Sequence, residues 1–138
     1  AHLLAADPPA DPERLWFLGA AAPPVVAEIL AASDLHIAPS RSFPVARSLL
    51  EAMAAGCIVL AAETEPHREV VTHEQTGLLI DGQDTDASLR TAHAVLADRA
   101  AYRPLGDAAA ALVQERYSHD SCLPQLAEQF SALVNARG

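Results

Sequence analysis

Residues 34–62 read DLHIAPSRSFPVARSLLEAMAAGCIVLAA, and this stretch decides the fold. The run 34–39 is short, apolar and closed by Pro39, which suits a strand that leads into a loop. Small and apolar residues over about 45–55 predict a helix, and Gly56 stands where a left-handed C-cap would stop it. CIVLAA, 57–62, is then a second apolar run of strand length. CIVLAA does not alternate apolar with polar residues. Continuous apolar strands joined through a helix belong to a parallel sheet covered on both faces.

The flanking sequence keeps this rhythm. LWFLG, 15–19, predicts a buried strand closed by glycine. PPVVAEILAAS predicts a helix with Pro24 at its first position and Val25, Ile29 and Leu30 on its apolar face. Downstream, ETEP leads into a short helix over HREVV, 67–71. THEQTG is a turn, and LLID, 78–81, is a further strand. After Asp84 three helical segments follow without a strand, at about 86–97, 99–116 and 120–136, with Pro104 and Pro124 in early turns of the last two. The expected fold class is α/β, a Rossmann-like doubly wound parallel sheet, with 85–138 as a helical tail. Residues 1–12, rich in Pro and Asp, form a poorly defined start, where Leu3–Ala6 reads as a strand remnant or a frayed end. Ligands of such sheets bind beyond the carboxyl ends of the strands, which here lead into PSRSFP, ETEPH and DGQD.

Composition excludes several classes of function. The chain has 138 residues and a net charge of −9. Its nine basic residues are scattered arginines, so neither a nucleic-acid surface nor an anionic-lipid surface is expected. Cys57 and Cys122 stand far apart with no metal spacing, and read as reduced thiols in a cytoplasmic protein. The longest apolar run, Ala52–Ala62, is far short of the ~20 residues of a membrane span. The N-terminus lacks a starting Met and a basic leader, so the chain is expected to be part of a longer one.

Arg47 and Glu51 are one turn apart at the start of the predicted helix. They admit two readings. One is an exposed i,i+4 ion pair, in the less favourable order. The other is a nucleotide site: an anion meets the unpaired amides of the helix start and Arg47, and Glu51 accepts hydrogen bonds from vicinal hydroxyls beside it. DTD, 84–86, reads as a helix cap and not as a metal motif.

At this point FPVARSLLEAMAAGCIVLAAETEPHREVVTHEQTGLLID resembles the donor-binding half of family-four glycosyltransferases, which have the GT-B architecture. WFLG, SDLHIAPS and the run from LADRAAYRPLGDAAAALVQERYS to CLPQL are similar to the same pattern, so the resemblance covers about residues 13–138. It implies that the chain, 1–138, is the C-terminal part of a nucleotide-sugar-binding domain of a retaining glycosyltransferase. The donor would be a sugar of the UDP or GDP type, with no metal and no other cofactor. The acceptor-binding N-terminal domain and the basic pair that neutralises the diphosphate would lie upstream, so this segment alone is expected to be inactive. By position, Glu51 matches the second glutamate of the family's Glu-x7-Glu motif, which binds the ribose. Ser40, Phe43, Val45, Ala46 and Ser48 fall in the segment facing donor sugar and diphosphate. Glu69 matches a more structural glutamate, and Thr76 and Gly77 a turn near the base.

Two positions depart from the pattern. Phe43 stands where the first glutamate belongs, and Ala46 where glycine is usual. Phe43 is similar to a branch of the family with a Phe-Val-x-Ser-type loop, and Arg47, which matches no catalytic position, is a candidate compensating contact. A non-catalytic Rossmann-like module for nucleotide binding or assembly remains the alternative.

The other chemistry-bearing residues read as structural. His36 is expected to be a satisfied core or edge histidine. His67 is read as a solvent-exposed helix-start residue, with reach to a ligand as the second reading. Trp16 is expected to pack, Cys57 to be inert, and Ser40 to cap its loop. The helix over 120–136 carries Leu123, Leu126, Phe130, Leu133 and Val134 on one face, and self-association through exposed apolar surface is expected.

Overall fold

The computed structural model describes residues 11–39, 45 and 47–136. Among these, helix α1 (Pro23–Ala31) precedes strand β1 (Leu35–Ala38), helix α2 (Arg47–Ala54) and strand β2 (Ile58–Ala62). Helix α3 (Glu65–Val70) and strand β3 (Leu78–Ile80) follow. Helices α4 (Thr85–Ala97), α5 (Arg99–Arg116) and α6 (His119–Asn135) complete the order. The strands form one parallel sheet in the order β1-β2-β3. Leu35 pairs with Ile58, and Leu60 pairs with Leu78. The expected βαβ rhythm and α/β class are therefore present, with helix bounds close to those read from the sequence.

Strand β2 is buried along its whole length. Val59 and Ala61 meet a layer built from Leu30 of α1, Leu49 and Met53 of α2, and Ala109 and Val113 of α5. Ile58 and Leu60 point to the other side, against Ala92 and Val95 of α4. A strand covered on both faces has no use for polar residues, which is why CIVLAA shows none.

Local chemistry sets the element ends. Gly56 adopts φ +75°, the left-handed conformation that stops α2 at little cost. Asp84 caps α4 by accepting the Ala87 amide proton at 2.7 Å, as the DTD reading expected. The buried Cys57 thiol donates to the Leu30 carbonyl at 2.9 Å and ties the end of α1 to the start of β2. Burial pushes this thiol's pKa up and keeps it protonated, which fits an inert structural role.

Five expectations need correction. Residues 15–18 form no strand: Leu15, Trp16, Phe17 and Leu18 are exposed, Trp16 by 74%. Strand character requires a paired neighbour, and among the described residues β1 pairs only with β2. Trp16 therefore does not pack. The buried face of α1 runs through Val26 and Leu30, while Val25 is exposed. His67 is not at the surface but 1% exposed, with Nδ1 2.7 Å from the Ala62 carbonyl. His36 is half-buried, and its Nε2 has no hydrogen-bond partner among the described residues.

Candidate functional site

Helices α1 and α2 lie side by side on one face of the sheet and bound an open groove of about 370 Å3. Helix α1 contributes Pro23, Val26, Ala27 and Leu30, and α2 contributes Glu51 and Ala54. The α1 positions recur at helical spacing, so one stripe of the helix forms one wall. Glu51 brings the only ionisable side chain to this lining among the described residues.

Glu51 is held where the buried stripe of α2 meets solvent. Leu49, Ala52 and Met53 are fully buried and fix the helix on the sheet. Glu51 lies at the edge of that stripe, with its side chain 35% exposed. Arg47, at the first residue of α2 and 79% exposed, donates from Nε to Glu51 Oε1 at 2.7 Å. An exposed pair of this kind contributes at most ~1 kcal/mol to stability. Its chemical effect is orientation, because one carboxylate oxygen is engaged and the other is left to accept from a ligand hydroxyl. Both readings of Arg47 and Glu51 are thus compatible with one geometry.

Val45 packs partly buried against the core, and Ser48 is exposed. Ser40, Phe43 and Ala46 lie outside the described residues. Glu69 is exposed on α3. His67, enclosed and bound to the Ala62 carbonyl, braces α3 against β2. Thr76 and Gly77 close the turn before β3. Thr76 Oγ1 accepts the Thr72 amide proton at 2.9 Å, and a Cβ on Gly77 would come within 2.5 Å of Val59.

A second hollow, about 490 Å3, opens at the end of β3 and is lined by Asp81, Gln83, Asp84, Thr85 and Asp86. Three carboxylates repel a diphosphate. Two of them are already used, Asp81 by the Gln83 amide and Asp84 by the cap of α4. No group of three or more His, Cys, Asp or Glu among the described residues is placed to hold a metal ion. No helix among them is long and apolar enough to cross a membrane.

The wall supplied by α1 is what the sequence reading missed. Its signal was present in the spacing of Pro23, Val26, Ala27 and Leu30 within PPVVAEILAAS. Of these only Leu30 is read from the sequence, as part of an apolar face with Val25 and Ile29, and only the position of α2 beside the stripe makes a groove.

The pattern of the family described as "Glycosyl transferases group 1" matches residues 12–112. The chain belongs to this family. N-acetyl-alpha-D-glucosaminyl L-malate synthase of Bacillus anthracis is 33% identical over 113 residues, which are 82% of this chain and 29% of that enzyme. Sucrose-phosphate synthase from Thermosynechococcus elongatus superposes with a TM-score of 0.85 at 29% identity, over 90% of this chain and 31% of that one. Anabaena HepE, solved in complex with UDP, superposes with a TM-score of 0.72 at 25% identity, over 76% of this chain and 29% of that one. These glycosyltransferase neighbours agree with the Rossmann-like fold described above. The chain spans less than a third of the length of each of these relatives.

Proposed function

We infer that the chain is the donor-binding segment of a glycosyltransferase and binds the nucleoside diphosphate of a sugar donor of the UDP or GDP type. Transfer would proceed with retention to an acceptor held elsewhere in a longer protein. The observation that carries this reading is Glu51. It is a half-buried carboxylate oriented by Arg47 at the mouth of an apolar groove, and the family resemblance matches it to the ribose-binding glutamate. A carboxylate oxygen is the natural acceptor for two vicinal hydroxyls. Arg47 and the first turn of α2 lie beside it, where a diphosphate would find positive charge. Ser40, Phe43, Val45, Ala46 and Ser48 belong to the segment assigned to sugar and phosphate. The UDP bound in Anabaena HepE supports the same class of ligand for this fold.

Phe43 in place of glutamate favours a second reading, a module that binds nucleotide without transferring sugar. Both readings require the nucleotide site. Calorimetric titration with UDP and with GDP, on the chain and on Glu51→Ala, tests it. We expect the substitution to weaken binding of whichever nucleotide binds by more than tenfold. Equal affinity in Glu51→Ala would remove Glu51 from the site.

A further inference from the structure

We propose that Arg47 is a positioning residue for the ribose: by holding one oxygen of Glu51 it sets the carboxylate for the vicinal hydroxyls, so that the site takes ribonucleotides in preference to 2′-deoxyribonucleotides. This rests on the reading of Glu51 as the ribose acceptor. It gives Arg47 a part in binding that runs through Glu51 and not through a direct phosphate contact.

Stability offers little reason for this arginine. It stands at the first residue of α2, where the positive end of the helix disfavours a cation. It precedes Glu51 by four residues, the weaker order for such a pair. With Arg47 largely in solvent, the contact adds little to folding. Residues that break local rules without a gain in stability are expected where function requires them. The geometry points to which function. Leu49, Ala52 and Met53 are fully buried and fix the backbone that carries Glu51. The torsions of the glutamate side chain remain, and ordering them costs entropy when a ligand binds. Arg47 Nε lies 2.7 Å from Oε1, the length of a charge-assisted hydrogen bond. That bond orders the torsions before a ligand arrives. The second oxygen keeps its two lone pairs, one for each vicinal hydroxyl. An acceptor held in place distinguishes a diol from a single hydroxyl, because a ribose without its 2′-hydroxyl leaves a lone pair unmet. A carboxylate free to turn can swing towards the remaining hydroxyl or to water, and distinguishes less.

The test is calorimetric titration with UDP, GDP and their 2′-deoxy counterparts. It compares the 138-residue chain with Arg47→Ala, Glu51→Gln and the double variant, and urea unfolding follows the stability of each. We expect the chain to prefer ribose over deoxyribose by about tenfold or more. Arg47→Ala should lower that preference by about threefold or more and leave the urea midpoint unchanged or raised. In the Glu51→Gln background the same substitution should change affinity by less than about twofold. A ribose preference kept in full by Arg47→Ala overturns the proposal. An equal loss in both backgrounds also overturns it, and would place Arg47 on the phosphates. In either case a preference that Glu51→Gln abolishes leaves the donor site standing. If no nucleotide binds, if the chain has no ribose preference, or if Glu51→Gln keeps it, the donor reading falls and this proposal with it.

Discussion

Helix α5 has 18 residues and helix α6 has 17, and each carries proline as its sixth residue. Each begins with a side-chain cap: Asp98 accepts the Ala101 amide proton, and Ser118 accepts that of Ser121. Both therefore bear the same local cost of an interior proline, which removes one hydrogen bond and crowds the preceding turn. Their fates differ. Helix α5 buries Gly106, Ala109 and Val113 against α2 and β2, whereas α6 buries no residue. Leu123, Leu126, Phe130, Leu133 and Val134 of α6 are all at least 49% exposed. The same contrast runs through the sheet, where β2 is fully buried and β1, at the sheet edge among the described residues, only in part. Capping and periodicity make a helix, but the partner that covers its apolar face is supplied by tertiary structure. Small residues allow α5 to sit close to the sheet, and the large ones of α6 face solvent.

The sharpest test of that contrast is Gly106. A Cβ there would collide with the carbonyl oxygen of Gly56, in the turn that joins α2 to β2. Backbone on both sides leaves little room to yield. In an exposed helix, alanine for glycine would gain about 1 kcal/mol. We expect Gly106→Ala instead to cost at least about 2 kcal/mol, read from urea unfolding. A stabilised variant would mean that α5 does not rest on this turn, and the distinction between the two helices would lose its physical basis.

A smaller effect is expected at the sheet edge. Burial lowers the pKa of His36 below the ordinary value near 6.5, because the charged ring is poorly solvated there. The folded state then binds its proton less readily than the unfolded chain. Stability from this group is present above the unfolded value and is lost as pH falls from about 6.5 through the lowered folded value. Urea midpoints of the chain and of His36→Phe at pH 7.5 and 5.5 measure it. The parent should lose more stability on acidification than the variant. Equal losses would mean that water reaches the ring, and that the edge strand is more open than its partial burial indicates.

These features mark how far the sequence could be read. Among the described residues, the three strands, the six α-helices and the caps at Asp84 and Gly56 follow from apolar runs, spacing and turn chemistry, all of which are local. Residues 15–18 misled because an apolar run is a strand only when another strand lies beside it. His67 misled because its enclosure comes from the return of α3 onto β2, and nothing in EPHREV encodes that contact. The candidate site divides in the same way. Glu51 and Arg47 were visible from their spacing and from the family resemblance, while the groove they adjoin exists only once α1 and α2 are side by side.

The smallest expected effect asks most of the comparison. Val113 on α5 is 8% exposed, and Leu126 on α6 is 49% exposed. Truncating Val113 to alanine removes two buried methyl groups and leaves a cavity, at a cost of about 2 kcal/mol. Leu126→Ala removes more carbon, but from a surface already in water, and should cost no more than about 0.5 kcal/mol. Helix propensity is near neutral for Leu126→Ala, since leucine and alanine both rank near the top, and it offsets part of the loss in Val113→Ala, since alanine outranks valine. The two variants should therefore part clearly in parallel urea unfolding at low protein concentration. If Leu126→Ala costs as much as Val113→Ala, the face of α6 is covered in solution. A midpoint that rises with concentration for the parent and not for Leu126→Ala would identify the cover as a second copy of the chain.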